Sequence, residues 1–283
     1  MQLNCAYFNS AYRALADDLI NHGLLSGPRG LMTREILGAS FRVNAPTHNI
    51  IYHPLRNLNY KFMVAEFLWI LFGYDDAATI GKYNSKIVEF SDDGVKMWGA
   101  YGPQIMVNLP FALSKLKEDV STRQAVVEIW KTPWQPTKDV PCTLTLQLLC
   151  RENYMNCIVN MRSSDIWLGL PYDFYVFSQL LNLICSYTSM EPGFIQFNLG
   201  SSHVYETNVE ALREILDSSK LIEIYGSDRI HGMPPAELAA ILNDPTQKHP
   251  EGWYPPFKEP WNTFALVITH PREAALDLLT TFP

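Results

Sequence analysis

Four stretches of this chain carry residue types that can do covalent or acid–base chemistry. Cys142 stands in Asp139-Val140-Pro141-Cys142-Thr143, just ahead of an apolar alternating run. Its thiolate would be a nucleophile, although a lone cysteine serves equally well as a small buried hydrophobe. Arg162 and Ser163 follow a second apolar run and precede the turn Asp165-Ile166-Trp167-Leu168-Gly169. A guanidinium beside a hydroxyl can bind a phosphate, the one by charge and geometry, the other by a neutral hydrogen bond. The plainer reading there is an exposed Arg–Asp pair capping a loop. Asp173 opens the apolar stretch Phe174-Tyr175-Val176-Phe177, and Glu66 lies within Val64-Ala65-Glu66-Phe67-Leu68-Trp69. An unpaired buried carboxylate is costly. Asp173 could be a helix N-cap, but Glu66 has no capping role open to it. Two acids set in apolar helices point to a pocket with shifted carboxyl pKa values.

Elements must bring these groups together. Residues 10–22 place Tyr12, Leu15, Leu19 and Ile20 at helical spacing, with Gly23 as the stop. Residues 34–44 read as a strand with a bulge at Gly38, and 60–72 as a buried helix. Stretches 124–131, 143–150, 154–161 and 193–200 read as strands, and 173–189 as a second buried helix. The helices and strands alternate without a regular βαβ rhythm, so the expectation is an α+β fold in a single domain over 1–283. The Pro- and aromatic-rich tail from 245 is expected to wrap over the body as loop before a last strand.

Composition excludes several classes. At 283 residues, 47% hydrophobic and 18% charged, the chain has ordinary globular stock. A formal net charge of −7 argues against a nucleic-acid binder, which needs a basic surface, but leaves room for a small phosphorylated ligand. Five cysteines without a CxxC pair suggest neither a disulfide framework nor a zinc cluster. The N-terminus lacks a basic region followed by an apolar one, and Glu66 and Asp173 interrupt the longest apolar stretches. The expectation is a soluble, cytoplasmic protein with no membrane partner and no metal.

The order of the motifs resembles the thymidylate synthase superfamily. Pro141-Cys142-Thr143, then Met161-Arg162-Ser163-Ser164-Asp165, then Leu168-Gly169-Leu170-Pro171-Tyr172-Asp173, then Gly200-Ser201-Ser202-His203-Val204-Tyr205 follow that family's block order. Glu66-Phe67-Leu68-Trp69 is similar to its Glu-Leu-Leu-Trp helix, and Ala100-Tyr101-Gly102-Pro103-Gln104 to its Val-Tyr-Gly-Lys-Gln turn. Four blocks in one order are far more specific than any one of them. Asp173 replaces the Asn of the uracil enzymes, Thr143 replaces a His, and Ser201 replaces an Asp. These departures are similar to the deoxycytidylate hydroxymethylase branch found in T-even phages. The chemistry agrees, because cytosine offers an acceptor at nitrogen 3 and a donor amine, which a protonated Asp matches.

The resemblance implies a mixed sheet packed with helices, one sheet face lying at a homodimer interface, and 5,10-methylenetetrahydrofolate as the one-carbon donor. It implies that Cys142 adds to carbon 6 of a pyrimidine deoxynucleotide monophosphate, while Glu66, Tyr101 and Asp173 handle protons and the base. Arg29, Arg162 and Ser163 would bind the substrate, with Arg123 reaching in from a second subunit. His203 and Tyr205 would take the sugar hydroxyl, and Asp165 and Gly169 would face the folate. Only one of the family's two adjacent Arg residues is present, in Thr122-Arg123-Gln124. Gly81 falls where thymidylate synthases carry a Trp over the reacting carbon, which favours capture of water and hence a hydroxymethyl product. The alternatives are C5 methylation of dCMP, hydroxymethylation of CMP, and a divergent thymidylate synthase acting on dUMP.

Overall fold

A computed structural model describes residues 2–133, 136–217, 222–224, 234–247, 255 and 259–281. In chain order the elements are β1 (Gln2–Cys5), α1 (Phe8–His22), β2 (Leu24–Ser26), β3 (Thr33–Val43), β4 (Ile50–Tyr52), α2 (Tyr60–Leu71), α3 (Ala77–Gly81) and α4 (Gly102–Glu118). There follow β5 (Val126–Glu128), β6 (Thr143–Arg151), β7 (Tyr154–Met161), β8 (Ser164–Asp165), α5 (Leu170–Thr188), β9 (Glu191–Tyr205) and α6 (Glu206–Asp217). The last are β10 (Ile222–Ile224), α7 (Ala236–Asn243), α8 (Trp261–Thr269) and α9 (Ala275–Thr281). Among the described residues one mixed sheet runs β1-β3-β9-β7-β6-β5, with β2 added to β3 and β8 to β9. The long β9 is its spine, antiparallel to β3 and parallel to β7 and β8.

Alternation along the strands gives the sheet two unlike faces. Ala39, Phe41 and Val43 of β3, and Ile195, Phe197 and Leu199 of β9, are buried under α1 and α5. Rings fill that layer: Phe8 stacks on Phe174 at 3.9 Å, and Phe41 on Phe197 at 5.1 Å. The opposite face carries a polar ladder. Asn160 donates to Thr145 at 3.0 Å, Asn198 to Asn160 at 2.9 Å, Gln196 to Asn198 at 3.0 Å and Arg42 to Gln196 at 3.0 Å. Four neighbouring strands are thereby joined side chain to side chain across an otherwise open face.

The helices beneath the sheet hold the acids. From Phe62 to Leu71, every residue of α2 is buried except Glu66. From Leu170 to Cys185, only Tyr172 and Asp173 of α5 retain access. The two helices are cross-linked where their acids meet. The Asn59 amide donates to the Tyr172 hydroxyl at 3.0 Å, Asn59 also caps α2, and Phe62 meets Tyr172 edge-on at 5.2 Å. Gly102 lets α4 start hard against the end of α2, since a β-carbon there would lie 2.8 Å from the Ile70 carbonyl.

Most sequence expectations match the described elements, and five need correction. Gly38 has a positive φ of 67°, but the β3–β9 register runs unshifted from Leu37↔Ser201 to Ala39↔Leu199, so there is no bulge. The strand expected over 124–131 shrinks to β5, and Gly169 takes the N-cap place of α5, leaving Asp173 inside the first turn. The last strand is instead α8, whose residues Trp261–Ile268 are all buried. Enclosure on every side removes the periodicity that would separate helix from strand. Most of the Pro- and aromatic-rich tail between 248 and 258 lies outside the described residues. Finally, Gly81 opens onto nothing. A β-carbon there would lie 2.8 Å from Val88 Cγ2, so the glycine allows α3 to pack on the turn over Ser85–Phe90. Among the described residues no helix is long and apolar enough to cross a membrane.

Candidate functional site

The nucleophile candidate arrives on the residue before β6. Cys142 is partly buried, and its carbonyl accepts from the Arg162 amide at 2.8 Å. The Ser163 hydroxyl donates to Cys142 Sγ at 3.8 Å. Burial pushes the thiol up, the Arg162 guanidinium pulls it down, and the Asp173 charge pushes it up again. Without a ligand the group is therefore a thiol and not a thiolate at neutral pH.

Arg162 does structural work beside it. Its Nε donates to the Pro141 carbonyl at 2.9 Å, Nη2 to Val140 at 2.8 Å and Nη1 to Ser163 Oγ at 3.0 Å. It thus holds the Pro141-Cys142 corner and does not pair with Asp165. Two of its five N–H groups remain for an anion.

Glu66, Tyr101 and Asp173 gather behind the thiol. Burial, then the nearby Asp173 charge, raises Glu66 to about 8, and burial raises Asp173 to about 7. Tyr101 lies at the N-cap of α4, its ring stacked 6.0 Å from Phe177 of α5. Its phenol is raised well above the usual range by burial first, then by Asp173, Cys142 and Glu66, while Thr143 eases the shift. Each of these side chains feels the others, so the sequence-predicted set does come together. Two of them titrate near neutrality, as general acid–base chemistry requires.

The rim of the site is cationic. His203 of β9 faces Glu35 of β3 and Asp165 of β8 in the strand registers. Burial lowers its pKa, Asp165 and Glu35 raise it, and the Arg162 and Arg29 charges lower it. Tyr205 meets His203 edge-on at 5.7 Å. Arg29 is exposed in the turn Pro28–Gly30. Arg123 is exposed too, and among the described residues no contact joins it to Cys142. Its carbonyl accepts from the Gln147 side chain at 3.0 Å, which places it five residues along β6, roughly 17 Å at strand rise.

The Asp165–Gly169 turn is where a flat cofactor would sit. Asp165 Oδ1 accepts from the Trp167 and Leu168 amides at 2.8 and 3.0 Å, which shapes the turn, whereas Oδ2 is buried with no partner. Leu168 is 55% exposed beside half-buried Trp167, and a β-carbon on Gly169 would touch Asp173 Oδ2 at 3.4 Å. An orphaned acceptor beside apolar surface and the acid cluster fits the amide-bearing pterin of a folate.

Some participants escaped the sequence reading. Arg56 stacks 4.4 Å from the Trp167 ring, and its Nη2 donates to the Trp167 carbonyl. Buried Tyr12 lies next to that guanidinium and to Asp165. Arg56 sits in a loop with no motif around it, so only the fold reveals it. Asp139 was in view but carried no role.

Comparison with known proteins agrees with the geometry. A deoxyuridylate hydroxymethyltransferase of Bacillus phage SP01 is 30% identical over 214 residues, covering 69% of this chain and 56% of its own length. This chain thus spans little more than half of that relative. Thymidylate synthases of Clostridium beijerinckii and Encephalitozoon cuniculi are 22% and 25% identical, over 73% and 70% of this chain and 80% and 79% of theirs. Residues 10–223 match the thymidylate synthase family across the whole of the site. With Cys142, Glu66, Tyr101 and Asp173 converging inside that span, the chain belongs to the thymidylate synthase family.

Proposed function

We propose that this chain transfers a one-carbon unit to carbon 5 of a pyrimidine deoxynucleotide monophosphate, with dCMP as substrate and 5-hydroxymethyl-dCMP as product. The observation that carries the cytosine reading is Asp173, a carboxyl raised to about 7. Near neutral pH its protonated form is well populated. It can donate to cytosine nitrogen 3 while its other oxygen accepts from the amine. Against uracil, whose nitrogen 3 is itself a donor, the same proton faces a proton.

Cys142 Sγ then bonds to carbon 6, which makes carbon 5 the nucleophile. Its thiol must first lose a proton, and the Arg162 guanidinium is the group that favours the thiolate. 5,10-Methylenetetrahydrofolate would supply the one-carbon unit when bound, with Asp165 and Gly169 as its contacts. Glu66, raised to about 8, is mostly protonated at neutral pH and serves as a proton donor and water holder. Tyr101 stays a neutral phenol and relays the carbon 5 proton rather than standing as a phenolate. Arg29, Arg162 and Ser163 bind the phosphate, and His203 and Tyr205 bind the sugar. Arg123 lies too far along the sheet to join its own site, which supports a homodimer paired through the polar face, each subunit lending Arg123 to the other. The hydroxymethyl outcome rests on the motif likeness and on the phage relative, since Gly81 lends it nothing.

That relative's name favours a second reading, hydroxymethylation of dUMP. One experiment separates them: incubation with dCMP or dUMP and methylenetetrahydrofolate, followed by the mass of the product nucleotide. The proposal expects hydroxymethyl-dCMP with release of tetrahydrofolate. A methyl product with dihydrofolate would overturn the hydroxymethyl outcome, and turnover of dUMP alone would overturn the cytosine reading.

A further inference from the structure

Two short stretches deliver the thiol and the phenol, and neither belongs to a regular element. Cys142 ends the segment 136–142, and Tyr101 ends the segment 91–101. The first is laced to the second upstream of the site. Thr137 Oγ1 donates to Asp92 Oδ2, and the Lys138 amide donates to Asp92 Oδ1 at 3.1 Å. Three residues before Cys142, Asp139 Oδ2 accepts from the Gly99 amide at 2.9 Å, and the Trp98 amide also bonds this carboxylate. Gly99 is two residues before Tyr101. A β-carbon on it would lie 2.6 Å from Asp139 Oδ1 and 3.1 Å from the Asp139 carbonyl, so the two backbones meet without room for a side chain. The Tyr101 side is anchored in turn, for the Met97 amide donates to the Asp75 carbonyl at 2.7 Å.

We propose that Asp139 is a positioning residue whose carboxylate, by taking the Gly99 amide, ties the Cys142 stretch to the Tyr101 stretch and sets the spacing of thiol and phenol. Because the two groups act on adjacent carbons of one ring in the function proposed above, a small loosening of this tie misplaces both. The turnover part of the proposal rests on that function, while the tie itself does not.

The test uses the full chain with Asp139→Ala, Asp139→Asn and Gly99→Ala. Hydrogen exchange is followed in peptides covering 97–101 and 137–142, and kcat and KM are measured with dCMP and methylenetetrahydrofolate. Asp139→Ala should lose exchange protection in both peptides together. Its kcat should fall about tenfold or more, with KM changed less than about threefold. Asp139→Asn keeps an acceptor and should recover kcat to within about threefold of wild type. Gly99→Ala pushes on the same contact from the other side and should reproduce the kcat loss even where Asp139→Ala folds poorly. Unchanged kcat in Asp139→Ala, or exchange that rises in 137–142 alone, would overturn the proposal. Should the wild type convert no pyrimidine nucleotide, the functional reading fails, and coupled exchange in the two peptides then decides for or against the tie.

Discussion

The acid chamber and the cationic rim of this site are built by opposite means. Glu66 and Asp173 sit on α2 and α5, whose other residues there are almost all sealed, and among the described residues neither acid has an ion-pair partner. Packing alone aims them, and burial raises both carboxyls towards neutrality. Arg162, by contrast, leans on backbone carbonyls, and Arg29 and Arg123 stand in solvent. In the function proposed above, the chamber would move protons, and the exposed Arg29 and Arg123 would adapt to an anion while Arg162 is held in place. Such a division predicts that rim changes act on binding and chamber changes on turnover.

The largest effect should come from the thiol between the two regions. Cys142→Ser should abolish turnover and leave nucleotide affinity within about tenfold, because a hydroxyl is a far weaker nucleophile. Titration calorimetry alongside product assay checks both halves, and near wild-type turnover would break the mechanism. Next comes Glu66→Gln, almost isosteric but unable to exchange a proton. Its kcat should fall by about 10²–10⁴ while KM stays nearly constant. On the rim, Arg162→Ala should raise the nucleotide KM by about ten- to a hundredfold and, because Arg162 also holds the Pro141-Cys142 corner, lower kcat as well, with Arg162→Lys restoring only part, since it lacks the planar fork. A mixture of Arg123→Ala and Cys142→Ser chains should regain activity in one hybrid site. No recovery there would mean that Arg123 does not cross an interface.

A smaller effect should appear in stability. Burial makes the folded carboxyls of Glu66 and Asp173 hold protons that the unfolded chain has released. The contribution of these two groups to folding stability should therefore be greatest below the ordinary carboxylate range and should fall as pH rises towards about 7 and about 8. The Glu66→Gln, Asp173→Asn double variant should flatten that slope and be more stable than wild type at pH 8, read by urea unfolding across pH. An unchanged slope would mean the acids are better solvated than their surroundings indicate.

Much of this was legible in the residues themselves. Acids inside apolar helices are conspicuous because burial makes them costly, and the ordered blocks around Cys142, Arg162 and His203 carry the family pattern. What could not be read arises from contacts between distant segments. Arg56 reaches the Trp167 turn from a loop without a motif, and the Asp139–Gly99 tie joins residues far apart in sequence. Gly81 misled because one residue's lack of a side chain does not say which neighbour fills the space, and Val88 does. The α8 segment misled for the opposite reason, as uniform burial erases any period.

The central claim, that Asp173 selects cytosine, is tested most directly by competition between dCMP and dUMP at fixed methylenetetrahydrofolate, for wild type and Asp173→Asn. A mismatched buried polar pair costs roughly 1–3 kcal/mol, or about ten- to a hundredfold in selectivity. Wild type should prefer dCMP by about that factor in kcat/KM, and Asp173→Asn should shift the preference towards dUMP. A wild type that prefers dUMP, or a variant whose preference does not move, would contradict the assignment and return the chain to the uracil side of its family.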